Sequence, residues 1–208
     1  MDPATDCRPM ADDNSNQSLR LFVAIPMPEA VRDEIIGVQQ EMQQLVAAAA
    51  VRWTKPEQFH LTLRFLGDVA VERVPALQEA VKGVCGESPA LRLRAQGVGF
   101  FPNARSPRVI WVGINDGEGR LADLQKKIEE AVQLFAEEPA AEKFSGHITL
   151  GRIKFLKRQE TEKLAAQAQA LKDRLFGEWT ADEVEIIQSR LSSAGAEHSV
   201  LAVFRSAD

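Results

Sequence analysis

The phrase His-x-Thr-x occurs twice in this chain, as His60-Leu61-Thr62-Leu63 and as His147-Ile148-Thr149-Leu150. The 208 residues hold three histidines and six threonines, and two of those histidines stand two positions before a threonine. Polar and apolar residues alternate in both phrases, which predicts two β-strands. Side chains at i and i+2 leave a strand on the same face. Each phrase therefore presents an imidazole beside a hydroxyl, backed by two aliphatic residues suited to a core. Two such strands facing each other place two acid/base groups and two neutral hydroxyls around one small anion. That set suits phosphoester chemistry.

The rest of the chain supplies elements on which to mount the two phrases. Residues 1–18 are rich in Asp, Asn, Ser and Pro without periodicity and read as a disordered leader, leaving 19–208 as one bilobal domain. Leu19 to Ile25 is an apolar strand, and Glu29 to about Ala48 has helical spacing through Val31, Ile35, Val38, Met42 and Leu45. Arg52 to Thr54 is a short strand, Phe59 to Leu66 the first histidine strand, closed at Gly67-Asp68, and Val71 to Val84 a helix. Leu91 to Phe100 and Arg108 to Ile114 are strands separated by a loop from Phe101 to Pro107, and Leu121 to Phe135 is a helix. Gly146 to Gly151 is the second histidine strand and Lys157 to about Leu175 a helix. Strands near Ala181 to Ser189 and His198 to Phe204 follow, with Gly195 in the turn between them. Short turns between successive strands imply antiparallel pairing, hence an α+β fold. The order strand, helix, histidine strand, helix recurs around both phrases. It predicts two pseudo-symmetric lobes with antiparallel sheets flanked by helices, and a cleft between them.

Charge and cysteine usage exclude several classes. A net charge of −5 argues against a general nucleic-acid coat protein. From Lys143 to Arg158, however, the chain carries Lys143, Arg152, Lys154, Lys157 and Arg158 with no acidic residue, and His147 lies within that stretch. It reads either as a solvated basic face or as part of an anion site. No apolar run approaches the roughly 20 residues of a membrane span. The polar, acidic first residues do not form a signal peptide. Cys7 and Cys85 lie too far apart in sequence to suggest a disulfide scaffold, so a reduced, cytoplasmic protein is expected, with a monomer as the default.

On a regular first strand, His60, Thr62 and Arg64 share one face while Leu61, Leu63 and Phe65 share the other. An arginine beside an imidazole and a hydroxyl suggests an anion pocket. On a regular second strand His147 and Thr149 share a face with Gly151, and Arg152 falls on the opposite one. Two histidines, one neutral and one charged, move protons to and from a phosphoester near neutral pH without a cofactor, and the threonines donate to the non-bridging oxygens. A metal set of His60, His147 and His198 is a rival reading. No His-x-His spacing supports it, and the one carboxylate within three positions of either motif histidine is Glu57, three residues before His60. His198 reads as a surface residue before the last strand. Cys85 reads as the small apolar end of a helix rather than a nucleophile.

The paired phrases resemble those of the 2H phosphoesterase superfamily, and within it the RNA 2′,3′-cyclic phosphodiesterases, historically called 2′-5′ RNA ligases. The resemblance extends through Arg20-Leu21-Phe22-Val23-Ala24-Ile25-Pro26, Trp53 to Pro56, Phe65-Leu66-Gly67, Phe101-Pro102, Val109 to Gly113 and Leu150-Gly151-Arg152. It implies hydrolysis, without a metal, of RNA 2′,3′-cyclic phosphate ends to 2′-phosphates, with reverse 2′-5′ ligation as a second direction. It further implies His60 as general acid, His147 as general base, Thr62 and Thr149 on the phosphate, and Arg152 close by. The alternatives are another cyclic nucleotide or sugar phosphate as substrate, or a non-catalytic RNA- or nucleotide-binding module. Ser145-Gly146 departs from a proline common in relatives, and His198 stands where an aromatic is frequent. Without tyrosine in the chain, any base stacking falls to Phe or Trp; Phe101, in its proline-flanked loop, reads either as a stacking residue or as a loop residue capping the core.

Overall fold

The computed structural model describes residues 17–137, 139, 143–192 and 195–207. The expected leader lies outside the described residues except for Gln17 and Ser18, and Ser18 already belongs to the first strand. The chain runs β1 (Ser18–Ile25), α1 (Glu29–Gln43), β2 (Val51–Trp53), β3 (Leu61–Ala70), α2 (Val74–Gly86), β4 (Leu91–Phe101), β5 (Val109–Asn115), α3 (Arg120–Val132), β6 (His147–Ile153), α4 (Arg158–Ala170), β7 (Leu175–Ala181), β8 (Glu183–Ser192) and β9 (Gly195–Arg205). The fold is α+β, two antiparallel sheets flanked by these helices. One sheet has the order β3-β1-β8-β9 and the other β2-β6-β5-β4-β7. Every ladder between named strands is antiparallel.

The two strand orders match position for position. β3-β1-β8-β9 corresponds to β6-β5-β4-β7, with β2 added at the outer edge of β6. Both histidine strands thus flank the strand that opens their own half of the chain, β1 or β5. The helices lock the halves together. α1 follows β1 but packs on β7 of the other sheet, and α3 follows β5 but packs on β3. One hydrophobic core consequently joins Leu21, Val23 and Ile25 of β1 to Ile110 and Val112 of β5 and to Ile148 and Leu150 of β6. The opposite face of β1 carries Phe22 and Ala24, which with Ile187 form a separate small cluster.

Several elements differ from their sequence expectation, among them α4, which ends at Ala170 rather than Leu175, and β9, which already includes Gly195. α1 stops at Gln43 instead of reaching Ala48, although the alanines favour helix. Tertiary bonds hold the tract in another shape: Ala47 N–H donates to Glu160 Oε1 (2.8 Å), and Ala50 O accepts from Lys154 N–H (2.8 Å). β3 does not close at Gly67-Asp68 but continues to Ala70. Gly67 sits at φ 77° opposite Leu21, where a bulge interrupts the ladder. The glycine therefore marks a bulge within the strand and not a turn after it. β7 occupies residues expected at the end of a helix or in a loop. A register shift between Ala95 and Gln96, next to Gly177, breaks the period-2 signal.

Candidate active site

His60 is the residue immediately before β3, and His147 opens β6. With Thr62 and Thr149 they line one cleft of about 410 Å³ between the sheets. The two threonines occupy matching ladder positions, Thr62 opposite Ala24 of β1 and Thr149 opposite Trp111 of β5.

Directly after each threonine the strand carries a bulge. Thr62 pairs with Ala24 and Arg64 with Val23, so Leu63 is an extra residue without a partner. Thr149 pairs with Trp111 and Gly151 with Ile110, which makes Leu150 the extra residue. A bulge inverts the alternation of the residues that follow it. The shared face expected for His60, Thr62 and Arg64 is corrected accordingly. Arg64 turns inward, 9% exposed, with Nε 3.0 Å from Glu129 Oε2 and Nη1 donating to the Pro139 carbonyl (3.2 Å). Phe65, expected in the core, is 59% exposed and lines the cleft. The second bulge has the converse effect: Arg152, expected to face away, reaches the cleft wall.

Each imidazole is tied to the backbone two residues upstream. His147 Nδ1 lies 2.7 Å from the Ser145 carbonyl oxygen, and His60 hydrogen-bonds the backbone of Gln58. A carbonyl only accepts, so Nδ1 of His147 carries the proton and Nε2 of the neutral ring has a free lone pair. The two rings differ in surroundings. Burial, then the nearby His198, and then His147 push the His60 pKa down to about 4, against the Gln58 bond. His147 is lowered by burial and by Arg152, with the Ser145 bond opposing.

His198 is not the isolated surface residue of the sequence reading. It lies inside β9, opposite Ser189 of β8, and lines the cleft. Its ring meets His60 edge-on at 5.3 Å, and both rings stand on Phe22, at 5.1 and 4.7 Å between centroids. Among the described residues no three His, Cys, Asp or Glu side chains group as metal ligands. Phe101 ends β4 rather than opening a loop. Its ring packs edge-on against His147 (4.9 Å, 82°) and beside Trp111 (5.1 Å), so it backs a motif histidine and is not among the residues lining the cleft.

Sequence reasoning also missed Arg20 and Arg52 on the cleft wall. Arg52 pairs directly with Arg152 across β2 and β6, both exposed and neither in an ion pair with a described carboxylate. Like charges placed opposite each other destabilise a sheet, so the pair points to an anion at this rim. Only the pairing of β2 with β6 reveals it, and a three-residue strand gives little periodic signal.

A family model described as LigT-like phosphoesterase matches the chain in two successive segments, residues 25–111 and 112–196. The RNA 2′,3′-cyclic phosphodiesterase of Thermus thermophilus is 33% identical over 195 residues, covering 89% of each chain. That of Archaeoglobus fulgidus is 29% identical over 186 residues, 89% of this chain and 99% of its own. The crystal structure of TT0787 from Thermus thermophilus superposes with a TM-score of 0.73 at 28% identity, covering 90% of this chain and 97% of that one.

Proposed function

The chain belongs to the LigT-like phosphoesterase family, and on that premise we propose that it hydrolyses RNA 2′,3′-cyclic phosphate ends to 2′-phosphates through His60 and His147. One observation carries the reading: two His-x-Thr pairs, related by the matching strand orders, converge on a single cleft with a basic rim.

In this reaction a water oxygen forms a bond to phosphorus as the bond from phosphorus to the 3′-oxygen breaks. One neutral imidazole takes the proton of the attacking water, and one imidazolium protonates the departing 3′-oxygen. Attack and departure lie on opposite sides of phosphorus, and histidines on two different sheets suit that geometry. Thr62 and Thr149 donate hydrogen bonds to the non-bridging oxygens, whose charge grows in the transition state. The family resemblance gives His60 the leaving oxygen and His147 the water. Because its surroundings keep His60 neutral in the free enzyme, His60 acquires its proton when the anionic phosphodiester arrives. Arg152, beside His147 on the cleft wall, offsets the charge of the bound phosphate. We place the activity in the cytoplasm, as that of a monomer on RNA ends.

The test is incubation with a short oligonucleotide ending in a 2′,3′-cyclic phosphate, in EDTA, with products resolved as 2′- or 3′-phosphate. Accumulation of the 2′-phosphate is expected. A folded protein that leaves the oligonucleotide intact, or that yields the 3′-phosphate, overturns the proposal.

A further inference from the structure

Just beyond the cleft the surface carries a second concavity, of about 400 Å³, lined by Arg105, Arg108, Lys154 and Phe155 among others. It begins one residue past the catalytic wall: Arg152 lines the cleft, and Ile153 and Lys154 line this groove. The backbone fixes the junction. Ile153 N–H donates to the Arg108 carbonyl (2.8 Å), which seats the 102–108 loop beside the end of β6.

The groove is cationic in a chain whose net charge is −5. Arg105, Arg108 and Lys154 are all exposed, no described Asp or Glu lines the groove, and none of the three forms an ion pair with a described carboxylate. Arg52 and Arg152 continue the same charge to the cleft rim. Phe155, 55% exposed, lies next to Lys154. Exposed cations with an exposed aromatic ring among them form the chemistry that holds a single-stranded nucleic acid, cations for phosphates and a ring face for a base. The other concavity adjoining the cleft, lined by Arg20, Phe65 and Arg152, also carries the Glu137 carboxylate. It is the poorer path for a polyanion.

A cyclic phosphate ends an RNA at its 3′ side, so the remainder of the strand must leave the cleft in the 5′ direction. Lys154 stands one residue past the end of β6 and two after Arg152, so the groove opens directly from the strand that carries the cleft wall. Resting on the phosphodiesterase reading, we propose that this groove binds the RNA segment 5′ of the cyclic phosphate. Arg108, Lys154 and Arg105 contact its phosphates and Phe155 stacks a base. The preferred substrate is then an oligonucleotide end rather than a cyclic mononucleotide.

The experiment compares kcat/KM for a 2′,3′-cyclic mononucleotide and for oligonucleotides of increasing length with the same end, in the wild type, R108A/K154A and F155A. Wild-type kcat/KM is expected to rise with length. R108A/K154A should match the wild type on the mononucleotide, lose about tenfold or more on the longest oligonucleotide, and lower the salt slope there by about 1.4, or 0.7 per phosphate contact. F155A should lose affinity for the oligonucleotide without changing the slope. An identical length dependence in wild type and R108A/K154A overturns the groove. Anisotropy of a labelled oligonucleotide bearing a plain 3′-hydroxyl provides an independent readout. Weaker binding by R108A/K154A upholds the groove even if no cyclic phosphate is turned over, an outcome that sinks the phosphodiesterase reading alone. Equal binding overturns the groove whatever the turnover.

Discussion

The Nδ1 of His147 lies 2.7 Å from the carbonyl oxygen of Ser145, two residues back along the same chain. His60 likewise hydrogen-bonds the backbone two residues before it, at Gln58. Bonds to residue i−2 orient both rings by local backbone, independently of the other sheet. Each bond stabilises the protonated ring, yet in both cases burial outweighs it and the pKa falls.

The first prediction concerns the pH dependence of kcat/KM, which reports the free enzyme. The active form carries one proton on the histidine pair. As pH falls through about 4 the second imidazole is charged, and as pH rises through the lowered pKa of His147 the proton is lost. The profile should be bell-shaped, with its acid limb near pH 4 and its maximum below the ordinary histidine value of 6.5. Initial rates at low substrate from pH 3.5 to 8.5 check this, and a maximum above 7.5 would contradict it.

That profile is the same whichever ring is the acid, so a separate measurement must give the order. Alanine at either position should cost about 10²- to 10⁴-fold in kcat, with an unchanged circular dichroism spectrum. A substrate whose bridging 3′ atom is sulfur has a leaving group that needs no proton. His60→Ala should recover most of its lost rate on that substrate, and His147→Ala should not. Rescue of His147→Ala instead would exchange the two roles.

His198 supplies the third prediction. It lies 5.3 Å from His60, lowers the pKa of that ring and rests on Phe22. His198→Phe removes the like charge while keeping an aromatic ring on Phe22. The His60 pKa should rise from about 4 towards its ordinary value, carrying the acid limb of kcat/KM upward with it. Titration of the His60 ring by NMR reads this directly. An unmoved titration would show that His198 does not contribute to the His60 pKa.

Much of this architecture was legible in the chain. The polar–apolar alternation of the two phrases located β3 and β6, and the aliphatic stripe from Val31 to Met42 gave α1. The bulges at Leu63 and Leu150 were not legible, because a bulge is defined by the partner strand and leaves the local residue pattern intact. Their effect on the site was large: strict alternation put Arg64 in the cleft and Arg152 outside it, and the fold has the reverse. His198 was obscure for a related reason. Its place beside His60 arises from β9 pairing with β8 and β8 with β1, the latter a contact spanning most of the chain.

The exchange of the two arginines yields a crossed prediction. Arg64 is nearly buried, with its guanidinium on Glu129 and the Pro139 carbonyl, so Arg64→Leu strands a partly buried carboxylate. It should cost about 3 kcal/mol of stability, while the folded fraction keeps its kcat. Arg152 is exposed on the cleft wall. Arg152→Leu should change stability by less than about 0.5 kcal/mol, and should lower kcat/KM on a cyclic phosphate about tenfold, the scale of one charge-assisted hydrogen bond. Urea unfolding and single-substrate kinetics on both variants check the pair. If Arg64→Leu lost activity while remaining stable, the bulge would not turn Arg64 away from the cleft in solution.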